Sequence, residues 1–160
     1  MLFMHRSTYL LARACFAGVF ACACATLTVD AGSFNETDGV AIGGYDPVAY
    51  LSEQKAVKGS AAFTSVFNGS VFQFKSVANR DAFIASPEKF APQYGGYCAF
   101  GVSRGYKAAT SPEAFTVVDG KLYLNYDTEV RSMWAKDLPG YISKADKNWP
   151  AVQQTTKVNR

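Results

Sequence analysis

The residues best suited to chemistry lie in one stretch, Gln93 to Lys107, which holds four glycines, four aromatics and Cys98, the one cysteine beyond Cys24. Glycine weakens any helix or strand that contains it, so this density implies tight turns or the close approach of another group. As a nucleophile, Cys98 needs a base, most often histidine, to supply thiolate at neutral pH. The one histidine, His5, stands in an N-terminal segment that reads as removable. Lys107 and Arg104 can lower a nearby thiol's pKa, yet neither acts as a base at pH 7 without a large shift. A cysteine hydrolase is disfavoured on that ground, and zinc fares little better, because one cysteine and no histidine cannot assemble its usual ligand sets. Phosphate loops, dinucleotide fingerprints and nucleophile-elbow serines are absent from the sequence.

Three uses remain for Cys98. It is a small buried hydrophobe, a soft ligand for Cu(I), or a redox-reactive or intermolecular thiol. The Cu(I) reading needs a partner such as Met133, the only methionine after Met4, or a second protein chain. Tyr94, Tyr97, Phe100 and Tyr106 either line a pocket for a small ligand beside the thiol or fill a core beneath a glycine-rich turn. Asp46, ahead of Pro47, is a further candidate contact for a ligand; its structural alternative is a turn in which the carboxylate accepts backbone amides. Carboxylate chemistry is harder to exclude than a cysteine hydrolase, but the other acidic residues are spread singly at positions that caps, turns and solvated faces explain, which disfavours an enzyme built on paired carboxylates.

The elements that must position these residues form two similar halves. Val48 to Leu51 suits a short strand entered through Asp46-Pro47. Ala62–Phe67 and Ser70–Phe74 flank Asn68-Gly69, a strong signal for a two-residue hairpin that sets Phe63 opposite Phe74, Ser65 opposite Phe72 and Phe67 opposite Ser70. Four phenylalanines then share one face, which must be buried. Ser76 caps a helix over Val77 to Ala85 with Val77, Phe83 and Ile84 near one side, and Ser86-Pro87 opens a short helix ending before Pro92. In the second half, Phe115–Val118 and Lys121–Asn125 flank Asp119-Gly120, placing Phe115 opposite Leu124 and Val117 opposite Leu122. Asp127 or Thr128 caps a helix reaching about Leu138, Pro139-Gly140 breaks it, and a last helix runs from about Tyr141 to Trp149 before a frayed polar tail, 151–160. This pattern predicts a single α+β domain over 40–150, a small antiparallel sheet made of the two hairpins with helices packed on it.

Composition agrees with a packed domain: 49% of the 160 residues are apolar and 14% aromatic. The net charge of +3 is scattered, with no basic run to serve nucleic acid. Met1 to Arg13 is basic without an acid, and Ala14 to Val29 is apolar or small apart from two threonines, the layout of a secretory signal peptide over 1–31. Cleavage after Ala25 or Ala31 fits the small-x-small rule and leaves 32–39 as a leader. The expected mature chain has no stable membrane span, is exported to the periplasm, and keeps Cys98 as its sole cysteine.

Five blocks carry a resemblance: Gly44-Tyr45-Asp46-Pro47-Val48-Ala49-Tyr50, Asn79 to Phe83 with Pro87 to Phe90, Pro92 to Ala99, Asp119 to Asn125, and Ala145 to Pro150. Together they make Val40 to Pro150 similar to the exported bacterial proteins of the YHS-domain family. The resemblance implies a small α+β domain and, since short YHS modules occur beside metal-transporting ATPases and oxygenases, a role with heavy metals that only Cys98 could continue. The reading that results is an exported, non-enzymatic binding protein for a soft metal such as Cu(I) or a small ligand, its site centred on Cys98 with Tyr94, Tyr97 and Asp46 nearby. The alternatives are a structural or partner-binding domain with Cys98 as inert core, and an enzyme using a reactive thiol or carboxylates.

Overall fold

The computed structural model of the chain describes residues 33–160, so the expected signal peptide, with His5, Cys15, Cys22 and Cys24, lies outside the described residues. The class is α+β. In chain order the elements are β1 Glu36–Thr37, β2 Val40–Ala41, α1 Pro47–Glu53, β3 Ser60–Phe67, β4 Ser70–Phe74, α2 Val77–Ala85, α3 Pro87–Phe90, α4 Ala99–Ser103, β5 Lys107–Ala108, β6 Phe115–Val118, β7 Lys121–Leu124, α5 Thr128–Trp134, α6 Leu138–Val152 and β8 Val158–Asn159. The two hairpins stand in separate sheets. β3 and β4 belong to a sheet ordered β1-β2-β4-β3, whereas β6 and β7 form a two-stranded sheet.

Residues 33–39, expected to be a leader, are part of the fold. Phe34 is buried edge-on against Phe72, with ring centroids 4.9 Å apart, and β1 pairs with β2. Val48 to Leu51 is helix rather than strand. Asp46 caps α1, accepting the amides of Val48 at 2.8 Å and Ala49 at 3.2 Å, and Pro47 takes the first turn, where its missing N–H costs nothing. A four-residue apolar run cannot distinguish the two conformations by periodicity alone.

In the first hairpin Ser65 faces Phe72 and Phe67 faces Ser70 as expected, but an irregularity between Ser60 and Thr64 sets Ser60, not Phe63, opposite Phe74. Phe72 and Phe74 are fully buried against Phe83 of α2, with Phe63 and Phe67 packed at the margin. Ser76 caps α2 as read from the sequence, whereas Val77 and Ile84 face outward and only Phe83 of that trio enters the core. Ser86 precedes α3 without making a side-chain cap.

The second hairpin keeps the expected register, Phe115 opposite Leu124 and Val117 opposite Leu122. Beyond it, Asp127 caps α5, which closes at Trp134 and passes through a tight turn, Ala135–Asp137, into α6. Pro139-Gly140 lies inside the first turn of α6, not at a break: Asp137 accepts the Gly140 amide at 3.0 Å, and proline is tolerated there. The last helix runs on to Val152, and the tail returns to pair β8 with β5 in parallel, so it is not frayed.

Three apolar clusters result. One lies under the first hairpin; one gathers Tyr94, Tyr97, Val102, Tyr123, Trp134 and Val152 under α6; and a small one holds Ile42, Tyr50, Leu122 and Leu124. Asp46 joins α1 to the first hairpin from a fully buried position. Besides its cap it accepts the Lys75 amide at 2.9 Å and the Asn79 side-chain amide at 2.7 Å. Replacing Asp46 with alanine leaves four donors without partners, the buried Val48 and Ala49 amides among them, and urea unfolding of the variant is expected to show a loss of about 2–4 kcal/mol. A loss below about 0.5 kcal/mol would contradict this role.

Candidate functional site

Tyr94, Gly95 and Gly96 form a turn whose backbone is left-handed throughout, with φ of 52°, 60° and 73°. Ile42, Gly43 and Gly44 form a second such turn, with φ of 45°, 60° and 74°. The two touch. A Cβ at Gly96 would lie 2.5 Å from Ile42 Cγ2, so a glycine is required there by its neighbour as well as by its φ. Asn35 fastens the turns together: its amide donates to Gly95 O at 2.7 Å, its carbonyl accepts the Ile42 amide at 2.7 Å, and its side chain reaches Gly96 O and Thr110 Oγ1.

The chain leaves this turn through Tyr97 and arrives at Cys98, whose position is fixed on three sides. Its amide donates to Ala108 O at 3.0 Å, it bridges to Leu124, and its sulfur caps α4 by accepting the Gly101 amide at 3.4 Å. The thiol points to Asn125 Oδ1, 3.8 Å away, and the same oxygen accepts the Phe100 amide at 3.2 Å. Asn125 is fully buried, and its Nδ2 has no partner. Burial pushes the Cys98 thiol above its ordinary 9.0, against the opposing pull of the Gly101, Tyr126 and Phe100 amides.

Cys98 is only 2% exposed, yet it forms part of the wall of a cavity of about 330 Å³ together with Phe100, Tyr106, Tyr126, Val130 and Met133, closed by Ala108, Asn159 and Arg160. Tyr106, Tyr126 and Met133 are 41%, 44% and 42% exposed and supply three of the six large apolar side chains that stand open to solvent among the described residues. Scattered apolar side chains need no explanation, but three around one mouth make a patch. Wider clefts of about 390, 460 and 500 Å³ occur beside Arg131, Lys89 and Glu129, and none of them is lined by a cysteine. Among the described residues there is no group of three or more His, Cys, Asp or Glu placed to hold a metal; the cavity wall itself carries two sulfur side chains, Cys98 and Met133, beside the oxygens of Tyr106, Tyr126 and Asn159.

The expected companions of Cys98 are elsewhere. Tyr94 donates its hydroxyl to Asp146 at 2.8 Å and packs edge-on against Trp149 and tilted against Tyr123; Tyr97 donates to Phe34 O at 3.2 Å; Asp46 is taken up by α1 and the first hairpin. None of the three lines the cavity. They serve the frame around the thiol, while Phe100, Tyr106 and Met133 stand at it with the thiol. Tyr126 and Asn125 had no sequence signal beyond their place at the end of β7; a polar residue closing a strand reads as exposed, and Asn125 is buried. No family model, no curated protein and no solved structure matches the chain.

Burial also raises the hydroxyls of Tyr50, Tyr94, Tyr97 and Tyr123 above 10.0. The sign follows from linkage. Each of these groups, like Cys98, keeps its proton longer when folded, so its share of the stability is full below the unfolded pKa and is lost as pH rises toward the folded one. Chemical denaturation is therefore expected to show stability falling steadily above about pH 9, where unfolded thiol and phenol begin to ionise. A flat profile to pH 11 would contradict the burial of these groups.

Proposed function

We propose that the protein is an exported, non-enzymatic binding protein whose cavity takes a soft metal ion, Cu(I), between the Cys98 thiolate and the Met133 thioether. One observation carries this reading. Cys98 and Met133 are the only sulfur side chains after Cys24, and they line the same cavity from different elements, the start of α4 and the end of α5. Thiolate and thioether are the donors that favour Cu(I), and the aromatic side chains of Phe100, Tyr106 and Tyr126 flank the pair. The Gly101, Tyr126 and Phe100 amides favour the thiolate that metal binding requires. No histidine or acidic side chain lines the cavity to take the thiol's proton for catalysis, which supports binding over turnover. The resemblance to exported YHS-domain proteins and the signal-like N-terminus favour the same reading.

The aromatic rim favours a second reading, a small apolar molecule held in the same cavity by Phe100, Tyr106 and Tyr126.

Anaerobic titration of the mature protein with Cu(I) against a competing chelator is expected to give one equivalent bound. Cys98→Ser is expected to abolish that binding and Met133→Leu to weaken it roughly tenfold or more. Since binding displaces the proton of a thiol whose pKa is raised, affinity is expected to fall by about tenfold per pH unit below neutrality. Binding indifferent to Cys98 would overturn the metal reading, and retention of an apolar probe by Cys98→Ser would favour the second.

A further inference from the structure

The most deeply placed lysine, Lys107, is 9% exposed and makes no ion pair among the described residues. Its ammonium instead donates to two backbone carbonyls of the tail, Gln153 O at 3.0 Å and Thr155 O at 2.7 Å, and lies 4.8 Å from the centre of the Tyr97 ring. Burial pushes its pKa down, a cost that a lysine on the surface would not bear. Beyond those carbonyls the tail turns, pairs Val158 with Lys107 and Asn159 with Ala108, and puts Asn159 and Arg160 into the wall of the Cys98 cavity.

This return is lightly held. Residues 153–157 are exposed and β8 is two residues long; Gln153, Gln154 and Thr155 bond back to the last turn of α6, and beyond them the fastenings are the short pairing, the Ala109 amide on Asn159 O at 2.9 Å and the partly buried Val158 side chain, with the Lys107 ammonium at the root. β5 meanwhile holds Cys98 on its other side through Ala108 O. One two-residue strand thus joins a buried thiol to a detachable wall. Segments with few buried contacts and short ladders open locally, at free energies well below that of global unfolding.

We infer that residues 153–160 form a strap that governs access to the Cys98 cavity, with Lys107 as its latch. Opening the strap removes Asn159 and Arg160 from the wall and leaves Cys98, α4 and the core beneath them in place. The inference rests on the reading of the cavity as a binding site, and its test uses no metal.

Native-state labelling of Cys98 with an aromatic disulfide reagent, run beside amide hydrogen exchange, separates the possibilities. In the wild-type protein the thiol is expected to react faster than the Cys98 amide exchanges and in step with the Ala109 amide, whose partner is the strap. Lys107→Met, which keeps the length of the stem, is expected to speed both labelling and Ala109 exchange roughly tenfold while leaving Cys98 amide exchange unchanged. Val158→Ala is expected to act in the same direction and serves if Lys107→Met does not fold. Labelling only as fast as the Cys98 amide, or faster Ala109 exchange with unchanged labelling, overturns the strap. A strap-gated thiol that binds no Cu(I) overturns the metal reading alone.

Discussion

The contact between two left-handed turns governs the placement of everything else. Ile42 is β-branched and holds φ of 45°, a conformation such residues rarely adopt, and Tyr94 holds φ of 52°. Left-handed backbone at non-glycine residues costs about 1–3 kcal/mol each and persists only where its surroundings over-determine it. Here they do so. Asn35 satisfies backbone groups of both turns, Thr110 adds a bond to Gly96 O at 3.1 Å, and the missing side chain of Gly96 admits Ile42, which packs with Tyr50, Leu122 and Leu124. The turn also fixes the direction in which the chain leaves for Cys98.

Two consequences follow from that geometry. Tyr94 and Tyr97, flanking the glycines, are committed to the frame: one ring lies under α6 and bonds Asp146, and the other reaches back to Phe34. Cys98 is then delivered to the start of α4, a helix held at its far end by Asn148, which donates to Val102 O and Ser103 O. A thiol in that position is packed enough to be stable and placed beside a cavity whose other sulfur comes from α5. Burial and amide donors act on it in opposite directions, which accords with the proposed displacement of its proton by a metal.

Much of this was legible in the sequence, for reasons that differ by residue. Asn68-Gly69 and Asp119-Gly120 fix their own hairpins because few dipeptides accept two consecutive left-handed residues, and Ser76 and Asp127 announce helix starts through a single local bond. Asp46-Pro47 misled the reading of α1 because the same pair opens a strand or a helix, and the deciding partners, Lys75 and Asn79, are about thirty residues away. The tail read as frayed because its anchor, Lys107, is remote and of a type seldom buried. At the site, Cys98 and Met133 stand out as the only sulfurs after Cys24, whereas chain proximity and local chemistry alone link Tyr94, Tyr97 and Asp46 to them. Which aromatics face the thiol depends on the left-handed turn, and that turn is a tertiary feature.

The central claim is that Cys98 and Met133 act on one ligand across the cavity, the metal being bound by both sulfurs rather than by a thiol alone. Copper K-edge X-ray absorption on the Cu(I)-loaded protein, compared with loaded Met133→Leu, tests it directly. Two sulfur neighbours in the wild-type protein and one in the variant are the predicted result. A first shell of nitrogen or oxygen, or a sulfur count that the loss of Met133 leaves unchanged, would contradict it.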